Sequence, residues 1–221
     1  MNTTLAICAA IAGVIVAKAA QQAGALDTFY DPEDQTGTAL DYVPDFEDLA
    51  NYASDAMGYL DQDQAARNEL AMLAVIRAAE GTASDEGYRA LFGWRPGNGL
   101  TFSSFDTHPQ RFFNYTDKAG KTIRTSAAGA YQITYTTFDA LCRKYPSFAS
   151  RDFSPTTQDA MALTLIKEKG ALADVQAGRF ETAIRKIRTV WASLPGAGVN
   201  QPERSLAYVT QAYINAGGVL A

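Results

Sequence analysis

Glu80 is the residue of this 221-residue chain whose placement offers unusual acid–base chemistry. The run Asn68–Ala79 sets Leu70, Leu73, Ala74, Ile76 and Arg77 at three- and four-residue spacing, the period of a helix. Asn68 is a capping residue type at its start, and Gly81 is placed to end it. Glu80 therefore falls in the last turn, where the negative end of the helix dipole disfavours a carboxylate and raises its pKa, as a flanking apolar wall would. A carboxyl that keeps its proton near neutral pH suits a general acid for glycoside cleavage. An exposed glutamate at a helix end is the commoner occurrence, and spacing alone leaves both readings open.

Other catalytic chemistries find little support. His108 is the single histidine, and no cysteine cluster accompanies it, which argues against a zinc site. Asp106-Thr107-His108 could pair with a serine, but the chain has no Gly-x-Ser-x-Gly elbow. His108 reads instead as support for the turn before Pro109. No glycine loop of the phosphate-binding kind occurs. The two cysteines, Cys8 and Cys142, cannot build a disulfide framework, and Cys142 reads as a small buried side chain.

The elements that must position Glu80 follow from pattern. From Gly87 to Thr136 the sequence becomes rich in Gly, Pro and aromatics, with Asp117-Lys118-Ala119-Gly120-Lys121 as a hairpin turn between short strands. Rings interleaved with polar side chains suit a sugar cleft, and they equally suit a small packed sheet. Helices are expected over Thr134–Lys144, from the Ser154 cap and Pro155 onward, over Phe180–Trp191 and over Pro202–Asn215. A helix, a small sheet and further helices in that order predict an α+β domain with a cleft between two lobes.

The remaining chain divides by charge. Eleven Asp or Glu and no Lys or Arg lie between Ala19 and Ala66, whereas residues 67–221 carry eighteen basic against thirteen acidic side chains, a balance of about +5 hidden in the overall −5. The basic portion favours an anionic polymer or is simply a solvated surface. Residues 1–26 read as an apolar helix interrupted by Lys18: a weak membrane anchor, an uncleaved export signal, or a segment packing on a partner. Residues 27–66 read as an acidic linker with short helices near 45–60, serving as a tether or as an arm or docking strip. Residues 67–221 read as the globular domain.

Six motifs in order carry a resemblance over about 68–218: Ala79-Glu80-Gly81-Thr82, Asp106-Thr107-His108-Pro109, Ala128-Gly129-Ala130-Tyr131-Gln132, Phe153-Ser154-Pro155 with Gln158-Asp159-Ala160, Ile166–Leu172, and Trp191–Gly198. In these the chain resembles the bacteriophage lambda endolysin family, which implies a lysozyme-like fold, mainly helical with a small β region lining a cleft. The resemblance implies a lytic transglycosylase that cuts peptidoglycan glycan strands between N-acetylmuramic acid and N-acetylglucosamine, with the family's catalytic glutamate on Glu80. It makes Tyr131 and Gln132 the first candidates for sugar contacts, with Ser126 and Asp106 behind them. Asp106 has the alternative of bracing the β region, and Trp191 reads as core. No cofactor, metal or nucleic acid is expected. Membrane or virion-protein contact is expected only through residues 1–66, which nothing in the family explains. The expected settings are a virion that opens the wall during entry, an endolysin in the periplasm or at the inner membrane of an infected host, or an inactive binding module.

Overall fold

The computed structural model describes residues 46–117, 119–198 and 202–221, with side chains from residue 62 onward. The expected apolar helix over 1–26 and residues 27–45 of the acidic linker lie outside the described residues. Gln64–Ala221 forms one compact unit, and the packing below is that unit's own.

The first helix, α1 (Phe46–Glu80), is 35 residues long. The expectation of a start at Asn68 is therefore corrected. Residues 46–67 contain no proline and a single glycine, Gly58, so nothing in them breaks a helix. Asn68 is 2% exposed. Its amide donates to the Gln176 carbonyl at 3.0 Å, and its oxygen accepts from the Val219 N–H at 2.9 Å, pinning the C-terminus to α1. The buried stripe of α1 is Ala71, Met72, Val75, Ile76 and Ala79, a succession of i and i+4 neighbours. Leu70, expected on that face, is 64% exposed.

After α1 the chain makes a 3₁₀ turn at Asp85–Arg89 and a hairpin of β1 (Phe113–Thr116) and β2 (Thr122–Thr125). The strands are antiparallel, with Phe113 opposite Thr125 and Thr116 opposite Thr122. The turn forms where expected: the Asp117 carboxylate accepts from the N–H groups of Ala119 and Lys121, both at 2.9 Å. Gly120 takes a φ of 81°, which a residue with a Cβ rarely adopts. Phe92 covers the hairpin, its ring 5.0 Å from that of Tyr115.

Four α-helices and a one-turn helix complete the unit. Helix α2 (Tyr135–Lys144) is capped by Thr134, and α3 (Pro155–Glu168) by Ser154 with Pro155 in its first turn. A one-turn helix, α4 (Leu172–Gln176), and a 3₁₀ turn at Pro146–Phe148 went unforeseen. Helix α5 (Phe180–Ile187) ends four residues short of the expected Trp191, and α6 (Leu206–Asn215) starts after Pro202, at the Ser205 cap. Helix α3 is central: Gln158, Met161, Ala162, Leu165 and Ile166 are all buried in it. An aromatic group of Phe102, His108, Phe138 and Phe153 fills the space between α2, α3 and the loop before the hairpin. No helix among the described residues is long and apolar enough to cross a membrane.

Candidate active site

Glu80 is the last residue of α1, and Gly81, at φ 76°, turns the chain sharply away. The carboxyl is half-buried. Its Oε1 accepts a 2.6 Å hydrogen bond from the Ser193 hydroxyl. Burial, the largest influence, raises its pKa, while the Ser193 bond and the charge of Arg204 lower it; the net effect is upward. Desolvation disfavours the ionised form because the carboxylate exchanges water for a less polarisable surrounding.

Three segments meet at this point, each joined to the next by a hydrogen bond. Thr82 Oγ1 donates to the Ala130 carbonyl at 2.5 Å, tying the turn after Glu80 to the Gly129–Gln132 turn. Trp191 Nε1 donates to the Tyr131 carbonyl at 3.0 Å, tying that turn to the segment carrying Ser193. Ser193 closes the triangle on Glu80. Beneath it, Gln158 is fully buried: its amide donates to the Tyr88 carbonyl at 3.0 Å and the Phe153 carbonyl at 2.8 Å, and its oxygen accepts from the Ala130 N–H at 2.8 Å.

The residues singled out from sequence divide on this frame. Gln132 stands beside the triangle, half-buried, at a left-handed φ of 47°, with its amide on the Gly129 carbonyl at 3.0 Å. Tyr131 is corrected: its side chain is 1% exposed and its hydroxyl donates to Asp159 at 2.5 Å, so it belongs to the core and presents no face to a substrate. Burial, chiefly, and the bond to Asp159 hold that phenol well above its usual range. Ser126 is corrected likewise. It is 4% exposed, and its hydroxyl accepts from the Tyr135 N–H at 2.9 Å, bracing the start of α2.

Asp106 is exposed and lies elsewhere, on a cavity of about 850 Å³ that Arg89, Ser103, His108 and Arg111 also line and that Glu80 does not. His108 supports its turn as expected: Nδ1 accepts from the Gln110 N–H at 3.1 Å, which leaves Nε2 to donate to the Ile133 carbonyl at 2.9 Å. Burial lowers its pKa, so the ring is held neutral. Cys142 is free and buried, and no group of three or more potential metal ligands occurs among the described residues.

Three site residues escaped the sequence reading. Ser193 lay inside the Trp191–Gly198 run, but nothing distinguished it from its neighbours. Asp159, which also accepts from the Tyr88 hydroxyl at 2.8 Å, lay in the Gln158–Ala160 motif without a role. Arg204 carried no local signal. Its Nε reaches the Ala79 carbonyl at 3.3 Å, a contact 125 residues apart in sequence.

A half-buried carboxyl closing the first core helix, in a mainly helical unit with one small hairpin, defines a lysozyme-like protein. Bacteriophage lambda lysozyme complexed with a chitohexasaccharide matches with a TM-score of 0.61 at 31% identity, covering 70% of this chain and 97% of that one. A second structure of lysozyme from bacteriophage lambda matches at 0.57 and 30%, with the same coverage. The endolysin of Escherichia phage P2 is 38% identical over 166 residues, which is 70% of this chain and 96% of that protein. The endolysin of Escherichia phage lambda is 32% identical over 156 residues, 68% and 91% of the two chains. The endolysin family model matches residues 70–220. The chain belongs to the endolysin family and is a phage cell-wall lytic enzyme.

Proposed function

We propose that the chain is a peptidoglycan lytic transglycosylase in which Glu80 is the single acid and base. The observation that carries this reading is the Glu80 carboxyl itself: half-buried, raised in pKa, and influenced by a serine and an arginine rather than by a second carboxylate. A hydrolase of the usual kind uses two carboxyl groups, one for the leaving oxygen and one for water or for the sugar carbon. A transglycosylase needs one. Glu80 gives its proton to the oxygen joining N-acetylmuramic acid to N-acetylglucosamine as the C1–O bond breaks. The carboxylate so formed takes the proton of the muramic C6 hydroxyl, whose oxygen bonds to C1 and closes a 1,6-anhydro ring. No water is consumed, and Glu80 ends protonated as it began.

The glycan as substrate is supported by the likeness to lambda lysozyme, which has been seen with a chitohexasaccharide. Gln132 is the sugar contact that the frame favours. Asp106 serves a more distant part of the strand or braces its loop. Residues 67–221 act as the cutting domain and residues 1–66 as its tether to a membrane or particle. The length of that acidic tether favours a virion component used during entry over a lysis factor, and mass spectrometry of purified particles separates the two.

Digestion of purified peptidoglycan tests the chemistry. The expected products are 1,6-anhydromuropeptides, and Glu80→Gln is expected to lower the rate by at least about 10³-fold, because an amide can neither give nor take the proton. Reducing muramic ends, or substantial cutting by that variant, would overturn the proposal.

A further inference from the structure

Resting on the assignment of Glu80 above, we infer that Ser193 and Arg204 are positioning residues for its carboxyl, committing Oε1 to the Ser193 hydroxyl and leaving Oε2 as the oxygen that gives and takes the proton. The two residues belong to two pieces of chain, Ser193–Gly198 and Glu203–Tyr208, that are bound into one strap. The Arg204 N–H donates to the Ser193 carbonyl at 2.8 Å. The Glu203 carboxylate accepts from the Gly196 and Gly198 N–H groups at 2.8 and 2.6 Å. One end of the strap is moored in the core by Trp191, which is 3% exposed and bonded to Tyr131.

The other end grips the terminus of α1. Arg204 donates to the Ala79 carbonyl, its guanidinium lies 5.2 Å from the centre of the Tyr208 ring, and the Tyr208 hydroxyl reaches the Ala78 carbonyl at 3.4 Å. These are carbonyls of the last turn, beyond which the helix supplies no further N–H; that of Ala78 also accepts from the Gly81 N–H at 3.3 Å. A cation there offsets the negative helix end that would otherwise oppose ionisation of Glu80. Arg77, on the same helix, turns to the Ala83 and Ser84 carbonyls and to Tyr88. Glu203 holds the strap glycines, and the Tyr131 hydroxyl is spent on Asp159.

Glu80 must be protonated to start the reaction and ionised midway through it. Burial favours the first state. Ser193, by donating to Oε1, and Arg204, by its charge, favour the second. Removing either makes Glu80 a weaker acid, with two linked effects: slower proton delivery where the enzyme is fully protonated, and persistence of the protonated form to higher pH.

The test measures the rate of sacculus solubilisation by the full chain against pH and substrate concentration. Ser193→Ala is expected to lower kcat on the acidic plateau by about tenfold to a hundredfold, the range for a hydrogen bond to a charged group. KM holds, and the alkaline limb moves to higher pH. Ser193→Thr restores both features. Arg204→Gln moves the limb the same way, and Arg204→Lys returns it. A Ser193→Ala profile that matches the wild type, or a loss confined to KM, overturns the inference; thermal unfolding confirms that each variant is folded. Glu80→Gln, run in parallel, separates the two layers: if it is inactive while Ser193→Ala is normal, the strap's role falls alone, and if it still cuts, the role of Glu80 falls first.

Discussion

Replacing Gln158 by leucine tests whether a single buried side chain holds the site's frame together. The two side chains are close in volume, so the change isolates hydrogen bonding from packing. Three groups lose their partner at once: the carbonyls of Tyr88 and Phe153 and the N–H of Ala130. Each buried polar group left unpaired costs roughly 1–3 kcal/mol, and the three together about 3–6 kcal/mol if the carbonyls relax in part. Burying an apolar group in place of an amide returns on the order of 1 kcal/mol. The net loss of about 2–5 kcal/mol is a large share of the 5–15 kcal/mol typical of a folded domain. Urea unfolding by tryptophan fluorescence is the assay, with an unchanged slope and a lower midpoint expected. Gln158→Glu is the companion. Its oxygen can still accept from Ala130, but a carboxylate cannot donate to the two carbonyls, so it regains stability only at acidic pH, where it carries a proton. A Gln158→Leu variant within about 1 kcal/mol of the wild type would refute the view that these bonds fix the frame.

Two predictions concern pH. Because the folded pKa of Glu80 is raised above its ordinary 4.5, the unfolded chain gives up that proton first, and stability falls as pH rises from 4.5 through the folded value. Glu80→Gln is therefore expected to unfold at a higher temperature than the wild type at neutral pH, with the difference closing below pH 4.5; thermal melts across that range check it, and a less stable variant at neutral pH would contradict it. His108 works in the opposite sense. Its folded pKa lies below 6.5, so the unfolded chain takes up a proton first and stability is lost as pH falls below 6.5. His108→Gln is expected to lower stability by about 1–3 kcal/mol at pH 7.5 through its two lost bonds, yet to show a smaller further loss on acidification in the same melts.

What the sequence disclosed about this fold depended on how local the cause was. The Ser154 cap, the Asp117 turn and the glycine stop after Glu80 each rest on a few adjacent residues and are visible in one dimension. The start of α1 was misplaced because Asn68 has the chemistry of a cap, while its amide in fact serves Gln176 and Val219 across the fold. The same limit applied at the site. Glu80 could be placed at a helix end, but its partner Ser193 lies 113 residues away, Arg204 lies 125 residues from the neighbouring Ala79 whose carbonyl it holds, and no periodicity joins either to it. Tyr131 and Ser126 have side chains suited to sugars, and only their exposure of 1% and 4% shows that those groups face inward.

Ala130 offers the least chemistry of any residue near the site, yet both its backbone groups are spoken for, the N–H by Gln158 and the carbonyl by Thr82, and its methyl group has no exposed surface. A larger side chain there has no open surface to grow into and must displace packed neighbours. In a saturation screen for lysis, position 130 would thus tolerate as little as position 80. An intolerance map taken alone would rank an inert methyl beside a reactive acid, one set by geometry and the other by proton transfer.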